Sequence, residues 1–371
     1  MLGWHPRRTE AAADRLADRG LVVGAGESVR MAHDLIREIA DRQVPESQRR
    51  DMHRRIASWL EREAGDDLSL LLEALEHRRG GGLASQEITA KLLRSPRRRL
   101  LGRAGLKRLA AIADLETASS PSVLETQRGI AELAVELGDD RTALARWSAL
   151  AERLLRPEER ARAALAASGA AQRLRRTEEA WSHLHSARSL ARDDSTLTVE
   201  IGAREAEILL LLEGRTEEAL TIADTALKTA RELTATGSET GEARPETRRA
   251  HIAALIAAAG AARLSDDFAR LLEVSEELIE TARGFDEDAY VRALVGSGFA
   301  GYILGRSAEG ELRLRMAWDE ARRLTLPTAA SEASSAHSPA SRIASSGSRS
   351  SAPRRPALSS SRRESSDSRC C

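Results

Sequence analysis

The sequence predicts an all-α fold, in which repeated pairs of antiparallel helices follow a small N-terminal module. Ala, Leu, Glu and Arg dominate the 371 residues, whereas aromatic residues make up only 3%. The abundant residue types favour helices, and the scarce β-branched and aromatic types favour strands. A short motif also recurs through the middle of the chain, which is typical of a repeat architecture.

Charge and cysteine content exclude several classes of protein. Basic and acidic residues balance at 57 each, so no overall field attracts the chain to nucleic acid or to a membrane. The two cysteines, Cys370 and Cys371, are adjacent and cannot staple a fold. The segment from Met1 to Arg15 lacks the apolar core of a signal peptide, and the apolar stretch 252–262 is too short to span a bilayer. We therefore expect a cytoplasmic protein without a membrane partner.

The N-terminal region, residues 1–82, reads as helix, small hairpin and helix. A helix from Ala11 to Arg19 ends at Gly20, and two apolar triplets, 21–23 and 29–31, flank a Gly-rich turn. A helix over residues 34–42 follows, and Pro45 opens another helix that runs to about Glu63. This order predicts a winged-helix-like module.

Residues 83–326 carry the repeat. In each copy a Gly or polar turn is followed by a capping residue, an acidic first turn and a small residue, as in Gly214-Arg-Thr-Glu-Glu-Ala219. An Ala lies seven positions later, on the same face of the helix, in the copies at Ala180, Ala219 and Gly310. The small positions are Ala143, Ala180, Ala219, Ala269 and Gly310, at intervals of 37, 39, 50 and about 41.

Such loosely spaced units resemble a divergent tetratricopeptide array, whose standard period is about 34 residues. A single unit cannot bury its apolar face alone, so we expect stacked helix pairs with a concave face that binds a protein or a small-molecule inducer. Three tryptophans, Trp147, Trp181 and Trp318, are placed near the starts of second helices. They are read as packing residues or, alternatively, as anchors for a partner.

Residues 327–371 contain 16 serines in 45 positions and few large apolar side chains. Such a segment cannot offset its ordering entropy, so it is predicted to be disordered. One interpretation is a phosphorylatable or nucleic-acid-binding arm, and the other is translation in a shifted frame.

Four segments in the N-terminal region together resemble a known family. Residues 16–22, 31–38, 49–57 and 75–81 are similar to the segment that follows the nucleotide-binding domain in ATP-dependent transcriptional regulators of the LuxR/MalT type, within the signal-transduction ATPases with numerous domains. The residues that carry the resemblance include His33, Asp34, Arg50, His53 and His77.

The resemblance implies an ATPase domain before the winged helix, a DNA-binding helix-turn-helix at the far end, and repeats that sense an inducer. This sequence has no Gly-x-x-x-x-Gly-Lys-Ser/Thr loop and no recognisable terminal helix-turn-helix. ATP is thus implied for an intact family member and not for this chain, which we expect to be a fragment. DNA contact would come through a domain that is absent here.

Three motifs that resemble catalytic, metal or phosphate sites have simpler interpretations. Residues 296–301 match Gly-x-Gly-x-x-Gly, but their surroundings predict a helix instead of the strand that a dinucleotide site needs. His183 and His185 diverge by about 200° on a helix, so they are a poor metal pair. Arg residues cluster near positions 49–55 and 97–103, where interspersed acids favour a solvated face over phosphate contacts.

These observations predict no catalytic residue, no resident cofactor and no metal. The expected function is that of the regulatory or sensor arm of a LuxR-type regulator. A free-standing tetratricopeptide-like scaffold for protein interactions is the alternative. A nucleotide-dependent enzyme built on residues 296–301 is the third hypothesis.

Overall fold

The computed structural model describes residues 6–25, 28–33, 39, 42–114, 120–192, 194–238 and 244–324. Within these residues the chain is almost entirely helical, as predicted, and fifteen α-helices and two strands can be traced from end to end. Most of the predicted helix over residues 34–42 and all of the predicted disordered tail, 327–371, lie outside the described residues.

The N-terminal elements follow the predicted order. Helix α1 (Pro6–Asp18) is succeeded by strands β1 (Val22–Ala25) and β2 (Ser28–Met31), which pair in antiparallel fashion with Val22 opposite Met31. Two longer helices come next, α2 (Glu46–Ala64) and α3 (Leu68–Gly80), and they pack against each other. The Asp67 carboxylate accepts hydrogen bonds from the backbone N–H groups of Ser69 and Leu70, so it begins α3.

The remaining chain is a series of helices joined by short turns. They are α4 (Gln86–Arg94), α5 (Gly102–Ala113), α6 (Pro121–Glu136), α7 (Asp140–Arg153), α8 (Pro157–Arg173), α9 (Thr177–Ala191), α10 (Ser195–Ile208), α11 (Thr216–Ser238), α12 (Pro245–Leu264), α13 (Phe268–Ala282), α14 (Glu287–Ile303) and α15 (Ser307–Arg323). A 3₁₀ turn (Arg98–Leu101) precedes α5, and a π turn (Leu209–Glu213) extends α10. Along the described helices, none is long and apolar enough to cross a membrane.

The described residues form two compact units, which divide between residues 261 and 262. In the first unit, helices pack pairwise as α6 with α7, α8 with α9, and α10 with α11; in the second, α13 packs on α14 and α14 on α15. The apolar core of the first unit runs from Leu60 to Ile208 without a break between helix pairs. This is the tetratricopeptide-like helical-repeat fold that the sequence predicts.

The repeated small residues lie where helix pairs are in closest contact. Ala143, Ala180 and Ala219 are fully buried, and each is the fourth residue of its helix. The residues seven positions later, Leu150, Ala187 and Ala226, are buried on the same face. The predicted spacing of seven therefore corresponds to two turns of the contact surface.

One copy of the repeat was placed in the wrong register. Ala269 is exposed, whereas Leu271 is buried and is the fourth residue after the capping Asp267. Asp267 accepts a hydrogen bond from the N–H of Arg270, while the neighbouring Asp266 lies in the left-handed region with φ of 58°. The predicted small position, Ala269, is thus two residues before the buried one.

The Gly-x-Gly-x-x-Gly segment lies inside α14, which is continuous from Glu287 to Ile303. A Cβ atom added at Gly298 would lie 3.0 Å from the carbonyl oxygen of Gly310 on α15. A Cβ added at Gly310 would lie only 2.6 Å from the carbonyl oxygen of Gly298. These glycines therefore allow two helix backbones to touch, in agreement with the packing interpretation.

Candidate partner-binding surface

The first helices of successive pairs are joined by ion pairs that recur along the chain. Arg94 of α4 contacts Glu125 of α6 at 2.9 Å, and Arg128 of α6 lies 4.0 Å from Glu159 of α8. Arg162 of α8 lies 3.6 Å from Asp194, which caps α10. We call these three pairs the inter-repeat ladder.

The ladder keeps the standard tetratricopeptide period of about 34 residues. Its arginines stand at positions 94, 128 and 162, and its acids at positions 125, 159 and 194. The small positions of the second helices, at 143, 180 and 219, are spaced more widely over a neighbouring part of the chain. The ladder residues thus keep a closer spacing than the small positions do.

Side-chain exposure decreases along the ladder. The Arg94 and Glu125 side chains are 70% and 65% exposed, whereas those of Arg162 and Asp194 are 31% and 25% exposed. Burial alone would favour the neutral form of Asp194, but hydrogen bonds from Thr196 and Leu197 and the charge of Arg162 lower its pKa. Asp194 is therefore held mainly by its own capping hydrogen bonds, and the last pair is the least exposed of the three.

A groove of about 440 Å³ opens between α4 and α6 on the ladder side. Its lining combines three basic and three acidic side chains with small and apolar residues: Gln86, Glu87, Ala90, Leu93, Arg94, Arg98, Ser122, Glu125, Thr126, Arg128, Gly129 and Glu132. Leu93 lies against Gly129, where an added Cβ would meet its side chain at 2.9 Å. This groove therefore combines charged side chains of both signs with an apolar contact between Leu93 and Gly129.

Arg98 fixes one wall of the groove. Its guanidinium binds Glu136 at 2.5 Å, lies 3.5 Å from Glu132 and donates to the carbonyl oxygen of Leu93 at 2.8 Å. The hydrogen bond to Glu136 raises the pKa of Arg98.

Other arginines of this cluster are also engaged: Arg99 shares the same Glu136, and Arg103 donates to the carbonyl oxygen of Gly138. The basic cluster at 97–103 is thus largely engaged in contacts within the chain.

Further along the same face, α10 presents a second polar cluster. Arg204 donates to the Gln172 side chain at 2.7 Å, also pairs with Glu207, and lies over Gly169 of α8. Glu200 lies one turn before Arg204, and its buried Oε1 makes no hydrogen bond within the described residues. Burial raises the pKa of Glu200, although the charges of Arg162 and Arg249 oppose the shift.

A second groove, of about 480 Å³, lies on the opposite side of α10, between α9 and α11. Its floor is apolar, with Val199, Ile201 and Ala226, and a row of threonines on α11 forms one wall. The hydroxyl groups of Thr221, Thr225 and Thr229 donate to carbonyl oxygens four residues earlier. The wall therefore presents mainly methyl groups.

The three tryptophans have different surroundings. Trp147 is 9% exposed and lies mid-helix in α7, and its Nε1 finds no partner within the described residues. Trp181 donates to Glu213 at 2.6 Å and stacks on His185. Trp318 is 37% exposed.

The predicted placement of these tryptophans near helix starts holds for Trp181, the fifth residue of α9, but not for the other two. Trp147 is the eighth residue of α7, and Trp318 lies in the last two turns of α15. All three are on second helices, so none belongs to the ladder. Their role as partner anchors stays a prediction.

The residues that carry the family resemblance divide into two groups. His53 of α2 and His77 of α3 meet with their Nδ1 atoms 2.9 Å apart, although they are 24 residues apart in sequence. Arg50 forms a local pair with Glu46 at 2.8 Å, and His33 is exposed. Asp34 lies outside the described residues.

His183 and His185 point to different neighbours, as their spacing predicts. The Nε2 atom of His183 lies 3.1 Å from the hydroxyl of Ser148, whereas His185 stacks on Trp181. In the part of the chain that the structure describes, no group of three or more His, Cys, Asp or Glu residues is arranged to hold a metal ion.

Sequence reasoning missed the ladder because its partners lie on different helices, far apart along the chain. A local signal was nevertheless present, since Glu125-x-x-Arg128 recurs one repeat later as Glu159-x-x-Arg162. An acid and a base three positions apart lie on one face of a helix. Each such helix can then contribute its acid to the preceding helix and its arginine to the next.

No protein-family model matches this sequence. No curated protein matches it either. Similar solved structures do exist. One is a signal-transduction ATPase with numerous domains that has a tetratricopeptide repeat sensor, from Pyrococcus horikoshii, with 15% identity and a TM-score of 0.43 over 86% of this chain and 47% of that one. This chain thus spans about half the length of that protein.

Two further structures are similar at the same level. A Rap protein in complex with Competence and Sporulation Factor has 13% identity and a TM-score of 0.49 over 78% of this chain and 80% of that chain. BtubC from P. vanneervenii has 16% identity and a TM-score of 0.38 over 76% of this chain and all of that chain.

Proposed function

We propose that this chain binds an extended polypeptide segment along the ladder face and works as the sensor arm of an ATP-dependent transcriptional regulator. The observation that supports binding is the ladder itself. It presents charged groups of both signs that recur at about one repeat length along the chain, beside a groove of about 440 Å³.

The geometry favours an extended partner. Adjacent packed helices are about 8–10 Å apart, and an extended chain advances about 3.3 Å per residue. One step of the ladder therefore equals about three residues of an extended peptide. The partner we propose carries a charged side chain at about every third position, so that each one meets an Arg or an acid of the ladder.

The regulator part of the proposal rests on the resemblance of residues 9–82. In that arrangement the repeats would bind the partner, and α2 and α3 would connect them to an ATPase module. Binding instead of chemistry is the proposed activity, with no cofactor held by this chain. The alternative is a free-standing scaffold, for which the same ladder would serve equally well.

A peptide selection tests the binding proposal. The immobilised full chain selects from a displayed random peptide library, and the enriched peptides are measured by fluorescence anisotropy. We expect Arg128→Glu and Arg162→Glu each to weaken binding about tenfold or more, equal to about 1.4 kcal/mol. The matched control is Arg141→Glu, on the exposed side of the second helix α7, which should change affinity less than about twofold.

Two results would refute binding at this face: no peptide is enriched, or the ladder variants bind as well as the wild type. A separate observation tests the regulator. Translation of the flanking DNA in all frames should reveal a phosphate-binding loop upstream or a helix-turn-helix downstream. If neither is encoded, the scaffold is the correct alternative.

A further inference from the structure

His53 and His77 form a contact that depends on protons. Their Nδ1 atoms are 2.9 Å apart and the ring centroids are 4.9 Å apart. At this distance one Nδ1 must carry a hydrogen and the other must offer its lone pair. Two neutral imidazoles satisfy this requirement in complementary tautomers, and so does one imidazolium beside one neutral ring.

A second proton changes the contact completely. Both Nδ1 atoms then carry hydrogens, so neither can accept, and two positive rings are in contact. Burial lowers the pKa of His77, and the charge of His53 lowers it further, while Glu73 and Glu76 raise it. Protonation of His77 beside a charged His53 is therefore unfavourable.

Other charged groups around the pair do not remove this conflict. Glu73 and Glu76 lie on α3 with His77, and Glu76 is shared with Arg108 of α5 at 3.3 Å. On α2, the neighbouring Arg54 is a cation that donates to the carbonyl oxygen of Gly81 at 2.8 Å. The charges of Glu73 and Glu76 are therefore matched by those of Arg54 and Arg108 before either histidine is protonated.

The end of α3 is built around this contact. A Cβ added at Gly80 would lie 2.8 Å from the His53 ring, and one added at Gly81 would lie 2.8 Å from the Arg54 side chain. The glycines thus let the chain that leaves α3 lie directly against α2. The residues after this turn lead into α4, which lines the groove on the ladder face.

We propose that His53 and His77 are a pH-sensitive latch that holds the C-terminal end of α3 on α2 and opens when both rings are protonated. The latch is independent of whether the ladder face binds a partner. Because the pKa of His77 is lowered in the folded protein, the contribution of the latch to stability is present above the ordinary histidine value of about 6.5. It is lost as pH falls through the lowered value.

Amide hydrogen exchange of the full chain tests the latch. Protection of peptides from α2 and the end of α3 is compared at pH 7.5 and pH 5.0, after correction for the intrinsic exchange rate. We expect protection to fall towards acid with a slope of up to about tenfold per pH unit, as for uptake of one proton on opening. In His77→Gln the slope should vanish, because a side-chain amide can donate or accept whichever state His53 adopts.

The control is His183→Gln. Burial also lowers the pKa of His183, but its partner Ser148 has a hydroxyl that can accept from a protonated ring. This variant should keep the wild-type slope at α2 and α3. Gly80→Ala should show low protection of the same peptides at both pH values, since the added methyl displaces the His53 ring.

Wild-type protection that changes less than twofold across this range would overturn the latch, and so would a slope retained in His77→Gln. Nuclear magnetic resonance titration of the wild type gives an answer even if a variant does not fold. The His77 ring should keep its neutral form to a pH below the ordinary histidine value, because its pKa is lowered in the folded protein. A His77 titration at or above the ordinary value would contradict the latch.

Discussion

Gly310→Ala is expected to separate α14 from α15, although alanine is the better helix former. The new Cβ would lie 2.6 Å from the Gly298 carbonyl oxygen and 2.8 Å from the Tyr302 backbone nitrogen. Both neighbours are backbone atoms inside a continuous helix, so neither can rotate away as a flexible side chain would. The two helices must move apart, which weakens the packing of Leu314 and Ala317.

The magnitude follows from two opposed effects. Overpacking costs about 1–3 kcal/mol, with the upper half expected for contacts between backbones, and the gain in helix propensity is about 1 kcal/mol. The net expectation is a loss of about 1–2 kcal/mol. Gly202→Ala is the matched control, because its Cβ would meet only the Ala226 methyl at an ordinary 3.5 Å. There the propensity gain should dominate, with about 0.5–1 kcal/mol of stabilisation.

Amide hydrogen exchange measures each effect locally, which matters because helical repeats can open separately. Opening free energies are compared for α14 and α15 in Gly310→Ala, and for α10 and α11 in Gly202→Ala. If both substitutions stabilise, or both destabilise to the same extent, the close backbone contact between α14 and α15 does not control stability.

Further substitutions test other contacts. Arg98→Ala should lower the free energy of unfolding, measured by urea denaturation, by about 1.5–3 kcal/mol, because it leaves the partly buried Glu136 without its main partner. Arg94→Ala, in an exposed pair, should lower it by less than about 1 kcal/mol. Equal losses in the two variants would contradict this reasoning. Trp147→Ala should cost about 3–5 kcal/mol, and a loss below about 1 kcal/mol would refute its place in the core. Because the pKa of Glu200 is raised in the folded protein, its protonated carboxyl contributes stability below the ordinary glutamate pKa of about 4.5. This contribution is lost as the pH rises through the raised pKa. Glu200→Gln should therefore raise the urea midpoint at pH 7 and leave it little changed at pH 4, and a lowered midpoint at pH 7 would show that the ionised carboxylate is stabilising.

The sequence predicts helices and their starts well because these depend on local chemistry. Asp139 and Asp286 cap α7 and α14 with hydrogen bonds to N–H groups three residues ahead, and such caps are visible as residue patterns. The error at Ala269 has a local origin too, since two adjacent residues that can cap a helix, Asp266 and Asp267, precede it. In the structure Asp267 is the cap and Asp266 lies in the left-handed region.

The candidate surfaces could be predicted only in part, because they depend on contacts between distant residues. His53 and His77 were recognised from the family resemblance, but their pairing depends on how α2 crosses α3. The ladder similarly needs helices that lie side by side, and nothing local in Arg128 identifies Glu159 as its partner. The sequence does show that the Glu-x-x-Arg motif recurs in successive repeats, and this recurrence could have been used to predict the ladder.

The inter-repeat ladder also has an evolutionary consequence. Because Arg94, Arg128 and Arg162 follow one another at a constant sequence interval, removal of the segment 125–158 would bring Glu159 to the position that Glu125 holds relative to Arg94. A duplication of the same segment would add one more equivalent pair. Unequal recombination could therefore shorten or lengthen this part of the chain in whole units, and each new junction would inherit its ion pair without a compensating mutation.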